Sequence, residues 1–156
     1  MSFERVNTFL QERGMAQRVQ EFDVSSATVP LAALALGVEE SRIAKTLSFR
    51  GMQAPAILVV TAGDARIDNA KFKSAFNMKA KMLTSSEVRE YTGHEVGGVC
   101  PFDVKPGIHI YLDESLKRFD AVYPACGSAN SAVALHPDEL QILSAGEWVD
   151  MCKTTP

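Results

Sequence analysis

Hydrophobic positions near the start of the chain recur at helical intervals, and further along they change to alternation. Val6, Phe9 and Leu10 share one side of a helix that follows Ser2 and stops at Gly14. Thr28 is placed to cap a second helix, with Pro30 in its first turn and Gly37 at its end. Leu31, Leu34 and Ala35 are its expected buried face. A short helical turn near residues 40–43 leads to KTLSF, where Leu47 and Phe49 alternate with Thr46 and Ser48 as in a half-buried strand. AILVVT (56–61) reads as a central strand, with Gly63-Asp64 turning the chain after it.

The second half continues the mixture. Asp68 caps a helix with Phe72, Ala75 and Phe76 on its apolar side, and KAKML (79–83) alternates as a strand does. Thr84 and Glu87 have capping-box spacing for a helix that Gly93 closes. IHIYL (108–112) is a strand with Ile108, Ile110 and Leu112 on one side. AVYPA and SAVAL are short strands separated by a Gly-Ser turn. Pro137 opens a helix containing Leu140 and Leu143, and Ser144 with Glu147 has the spacing to cap a last one carrying Trp148. No repeat or linker interrupts the pattern, so residues 1–156 are expected to form a single domain. Its class is α/β in the mixed α+β sense, with a mixed sheet and no regular βαβ alternation.

Composition narrows the functional classes. With 46% hydrophobic and 22% charged residues the chain suits a soluble globular domain, and no apolar run is long enough to span a bilayer. The N-terminal residues include Glu4 and Glu12 and no signal-peptide core, so a cytoplasmic location without membrane association is expected. Cys100, Cys126 and Cys152 form no CxxC pair, and His94, His109 and His136 lack ligand spacing, so no metal site is expected. A net charge of −3 argues against a general nucleic-acid coat protein. Lys71, Lys73, Lys79 and Lys81 nevertheless follow one another without an intervening acid. They read either as a solvated face or as a local phosphate-binding patch.

The stretch HEVGGVCPFD (94–103) is the most constrained. Two glycines permit backbone conformations closed to other residues and let another molecule approach the main chain, while Pro101 holds Cys100 extended. Such a loop is either a tight turn between strands or a place where backbone N–H and C=O groups meet a ligand.

The order of these features resembles the YbaK family of aminoacyl-tRNA editing domains, which includes free-standing deacylases and the editing domain of bacterial prolyl-tRNA synthetases. SSATVPLAALALGVEESRIAKTLSF (25–49) resembles the family's entry helix and its hydrophobic-x-Lys strand start. GGVCPF resembles its G-x-x-x-P loop, with Gly97 and Pro101 as the ends, and GSANSAVALHPDEL (127–140) its late glycine turn, strand and helix. The resemblance runs from about Val19 to Leu143. It implies a barrel-like mixed β-sheet surrounded by helices, with no metal or organic cofactor. It also implies hydrolysis of the ester of a mischarged tRNA, such as cysteine or alanine on a proline tRNA. The acceptor end of aminoacyl-tRNA would be the substrate, and prolyl-tRNA synthetase a possible partner.

By the same resemblance Lys45 occupies the family's essential lysine position, where an ammonium can hold the phosphate or sugar of the terminal adenosine. Gly97 and Gly98 would set the catalytic backbone beside the aminoacyl group, with Val99, Cys100 and Pro101 next to it. Gly127, Ser128 and Asn130 would line the opposite wall, and Thr28 would join the substrate-binding set. Asp103 stands where many relatives have glycine, and Thr46 where some alanine-specific members have asparagine. His136, just before Pro137, suits a helix entry. Cys100 has no base or helix N-terminus nearby in sequence to form a thiolate and reads as a small loop residue. A thiol enzyme using Cys100 and a non-catalytic tRNA- or synthetase-binding module remain the alternatives.

Overall fold

The computed structural model describes residues 2–52 and 54–153. Helix α1 (Ser2–Gln11) buries Val6 and Leu10 against the main core, with Phe3 and Phe9 packed beside them. Strand β1 (Val19–Glu21) follows; three residues are too few for alternation to reveal it. Helix α2 (Val29–Leu36) starts and ends where expected: Thr28 Oγ1 accepts from the Leu31 N–H at 3.3 Å, and Gly37 takes φ 71°. Its buried face differs from the expectation. Ala32 and Ala33 are buried, while Leu31 and Leu34 are 42% and 81% exposed. The helix is apolar all round, so periodicity does not select a face. Small residues sit inward because Ile43 packs closely against them.

Strand β2 (Ile43–Arg50) and strand β3 (Ala56–Ala62) pair antiparallel, Lys45 opposite Thr61, and β3 is buried along its whole length. Asp68 caps helix α3 (Asn69–Phe76) by accepting from the N–H groups of Ala70 and Lys71. Phe72 is buried as expected, but Ala75 faces solvent. The KAKML segment forms only a bridge: Leu83 N–H donates to Ser48 O and Arg50 N–H to Lys81 O, with Met82 opposite Phe49. Helix α4 (Ser85–Thr92) carries the Thr84–Glu87 capping box and closes at Gly93. Strand β4 (His109–Asp113) sends Ile110 and Leu112 into one core and Tyr111 into another.

Strands β5 (Tyr123–Pro124) and β6 (Ser131–Val133) precede helix α5 (Pro137–Ser144). His136 is its N-cap, its Nδ1 accepting from the Asp138 N–H at 3.1 Å. The last expected helix is instead strand β7 (Glu147–Val149), parallel to β4 with Leu112 opposite Trp148. Ala145 at φ 56° ends α5, and the Ser144 hydroxyl accepts from Gly146 N–H, so the capping residue serves a turn. The open edge of β4 then captures the chain, a tertiary preference that overrides local spacing.

The five-stranded mixed sheet has the order β5-β2-β3-β4-β7, parallel everywhere except at the β2–β3 pair. A second, antiparallel sheet joins β1 to β6. Paired hydrogen bonds between Val122 and Leu135 connect the two sheets. Among the described residues the pairing does not close into a barrel. The main core packs α1 against both sheets; a second, around Phe49, Val59 and Phe72, includes the apolar side of α3, and two smaller clusters form around Ile43 and around Ala56 with Val88.

Candidate active site

The site begins with an interruption in strand pairing. Along its outer edge, β2 is paired at its start by β5, through Ile43 and Ala44, and at its end by the 81–83 bridge. No named strand covers the edge between these points. Since Ser48 O and Arg50 N–H face outward, alternation puts the main-chain groups of Thr46 on the same uncovered edge.

A cleft of about 340 Å³ opens there. Thr46 and Ser48 belong to its floor, Ser26 to Val29 form one side, and Val96, Gly97 and Val99 form another. Tyr123 and Ser131 complete the wall. Most of the lining is aliphatic, and Lys45 is its one charged residue among the described residues. Lys45 Nζ donates to Ala65 O at 2.6 Å and to Gly63 O at 3.3 Å. Burial lowers its pKa, while the nearby Asp64 carboxylate opposes that shift. An ammonium has three N–H groups, so this geometry leaves one uncommitted.

The loop at 94–101 is placed by contacts that need absent side chains. Gly97 has φ 90°, and a Cβ on it would lie 3.0 Å from that of Ala27. Gly98 packs against the turn at 127–128, where a Cβ would come within 2.6 Å of Ser128 N. Its own N–H is spent on Glu95 O at 2.9 Å, so Gly98 is a spacer and supplies no oxyanion donor.

Thr28, Lys45, Gly97 and Val99 thus meet in one cleft. Several other expected site residues do not. Cys100 and Pro101 turn into the protein, and the fully buried Cys100 thiol is pushed up to about 12 by loss of solvation. Its sulfur lies 3.7 Å from His94 Nε2 and packs in the main core, away from the cleft. A buried thiol of that acidity does not supply a thiolate at neutral pH. Gly127 backs onto Ser2, Asn130 clamps the Phe22 main chain, and Ser128 reaches the cleft only through its 2.6 Å hydrogen bond to Ser131. Lys71 is engaged with Asp150 and Cys152 O, both at 2.9 Å, whereas Lys73, Lys79 and Lys81 are exposed. Asp103 adopts φ 50°, the left-handed region that suits glycine, and pairs with Arg5 at 3.6 Å.

Sequence reasoning missed Ser26, Tyr123 and Ser131 as lining residues. Ser26 lies in the loop before α2 and Ser131 at the start of β6, segments whose meeting is tertiary, and an isolated serine carries no spacing signal.

The aminoacyl-tRNA editing domain family matches residues 24–143, a span that contains all of these cleft residues. The chain belongs to this family. Among its relatives, the uncharacterized protein YwhH of Bacillus subtilis (strain 168) is 53% identical over 154 residues, 98% of each chain. EbsC of Enterococcus faecalis, named as a candidate Cys-tRNA(Pro)/Cys-tRNA(Cys) deacylase, is 28% identical across 76% of this chain and 73% of its own. A crystal structure described as a candidate trans-editing enzyme for prolyl tRNA synthetase superposes with a TM-score of 0.88 at 32% identity, covering 98% of both chains. For this editing domain the mixed architecture is therefore the family's own. Among the described residues no helix is long and apolar enough to cross a membrane.

Proposed function

We propose that the protein is a free-standing aminoacyl-tRNA deacylase that hydrolyses mischarged tRNA, acting on tRNA-Pro that carries cysteine, alanine or a similarly small amino acid. One observation carries this reading: a small, mostly aliphatic cleft beside an uncovered strand edge has Lys45 as the one charged residue of its lining among the described residues. Its size suits a small ligand group, and its charge suits the phosphate or sugar next to the scissile ester.

In this reading the two carbonyls of Gly63 and Ala65 aim the Lys45 ammonium, and its remaining N–H binds the terminal nucleotide. Water, or water assisted by a ribose hydroxyl, attacks the ester carbonyl. The acyl–oxygen bond breaks, releasing the free amino acid and restoring the ribose hydroxyl. With a cysteinyl ester the substrate's own thiol is an alternative nucleophile. Positioning supplies the rate gain, which explains a site built without a triad. Prolyl-tRNA synthetase is the proposed source of the mischarged tRNA, in keeping with the names of the relatives.

The test is a single-turnover deacylation panel of Cys-, Ala-, Ser-, Thr- and 2-aminobutyryl-tRNA. Hydrolysis of at least one ester above the buffer rate is expected. Binding of the acceptor end with no hydrolysis anywhere in the panel would replace the deacylase with a binding module.

A further inference from the structure

The turn that aims the Lys45 ammonium is itself braced from outside the cleft. The two acceptors, Gly63 O and Ala65 O, flank Asp64 in the turn that leaves β3. This turn closes on itself through Ala65 N–H, which donates to Ala62 O at 3.0 Å. On one side it is wedged: a Cβ on Gly63 would lie 2.0 Å from Glu40 O and 2.8 Å from Val29 Cγ1. On the other it meets the 3-10 turn Glu114–Arg118, where Ala62 N–H donates to Ser115 Oγ at 3.1 Å. The Arg118 guanidinium donates to both oxygens of Asp64, Nη2 to Oδ1 at 2.6 Å and Nη1 to Oδ2 at 3.1 Å. Arg118 Nε donates to Ser115 O at 2.9 Å, so all three guanidinium nitrogens are committed to this junction.

We propose that Asp64 and Arg118 are positioning residues: their fork fixes the 62–65 turn and, through its two carbonyls, the direction of the uncommitted N–H of Lys45. The proposal deepens the deacylase reading and rests on it for the reaction that slows when Lys45 is misaimed. Neither side chain lines the cleft, so their effect on a ligand passes through Lys45. A planar fork sets both the distance and the angle of a carboxylate, which a point charge does not. Hydrogen bonds from Arg118 hold the Asp64 pKa below its usual value, so the carboxylate stays charged and the fork intact at neutral pH. The two side chains face solvent, Arg118 42% and Asp64 37% exposed. An ion pair in that setting adds little to stability, so a large effect on rate separates positioning from a merely structural role.

The experiment uses the full chain labelled with 13C-lysine. Single-turnover hydrolysis of the best ester in the panel is expected to slow by ~10- to 10²-fold in Arg118→Ala and in Asp64→Ala, the scale of a small misplacement. The melting temperature should fall by no more than about 4 °C, as for loss of an exposed pair. Asp64→Asn, isosteric and uncharged, should slow hydrolysis likewise and guards against a variant that fails to fold. Lys117→Ala breaks another exposed pair of the same turn, Lys117 with Glu114 at 3.1 Å, and should leave the rate unchanged. The second readout needs no hydrolysis. The two Hε protons of Lys45, assigned by their loss in Lys45→Ala, should be inequivalent while the ammonium is held and should converge when the fork is broken. In an active parent, an unchanged rate, slower hydrolysis with the Lys45 signals unmoved, or equal slowing in Lys117→Ala would overturn the proposal. Hε signals that already coincide in the parent would overturn it too. Convergence in variants of a parent that hydrolyses no ester keeps the brace and removes the deacylase, while hydrolysis with rate and signals unmoved in the variants does the reverse.

Discussion

Lys45 and Cys100, both expected at the site, end in opposite surroundings. Lys45 lines the cleft with a charge held by two carbonyls. Lys45→Ala is expected to cut single-turnover deacylation by at least ~10²-fold, the usual scale of misplacing a reacting group. Cys100 lies in the core, so Cys100→Ser should leave the rate within ~10-fold of the parent, less than about 1.4 kcal/mol of barrier. A dead Cys100→Ser beside an active Lys45→Ala would reverse the two assignments. His94 gives a prediction in pH. It is 1% exposed, and its Nε2 donates to Phe102 O at 2.9 Å, so its Nδ1 accepts from the Ser2 hydroxyl in the neutral ring. Burial lowers its pKa below the ordinary 6.5. The unfolded chain therefore binds a proton that the folded chain refuses. Stability from this group is complete above 6.5 and falls as pH drops through that value toward the lower folded pKa. Thermal melts across that range should show the decline, and His94→Gln should flatten it.

At the level of elements, the cleft depends on how closely the glycine loop and the 127–128 turn approach. Gly98→Ala would place a methyl 2.6 Å from Ser128 N, and backbone must move to admit it. The expected cost is about 1–3 kcal/mol of stability, the scale for overpacking, measured by denaturant titration. Deacylation should fall as well, because Gly97 and Val99 move with the loop. A variant that melts and turns over like the parent would show that the loop yields without consequence. Helix α4 supplies a contrast. Thr84→Ala removes the bond from Glu87 N–H and half of a capping box, at about 1 kcal/mol of stability, and should leave the deacylation rate within ~2-fold of the parent.

At the scale of the whole molecule, the lysines of residues 71–81 divide into engaged and exposed ones. Lys71 is committed to Asp150, but Lys79 and Lys81 are exposed, and Lys81 adjoins Met82 on the cleft rim. Lys79→Gln with Lys81→Gln is expected to raise the Michaelis constant for charged tRNA. It should also flatten the salt dependence by up to roughly 0.7–0.9 log units per log salt for each lost phosphate contact. An unchanged salt slope would make these lysines an ordinary solvated face.

Where a local device has a single interpretation, the chain alone determined the outcome. The Thr28 cap, the Thr84–Glu87 box, the Asp68 cap and the all-apolar run of β3 appear where their residues predicted them. The resemblance of the GGVCP loop and the RIAKTL strand also gave Lys45, Gly97, Val99 and Thr28, which do meet in the cleft. Tertiary structure decided the rest. The all-apolar α2 had no preferred face until Ile43 packed against it, and Glu147 to Val149 became a strand because β4 offered an open edge. Cys100 turned inward and Ser26 came to line the cleft because the 94–101 loop and residues 26–27 both pack against the 127–129 segment. Such choices depend on contacts between residues far apart in sequence, and no local spacing encodes them.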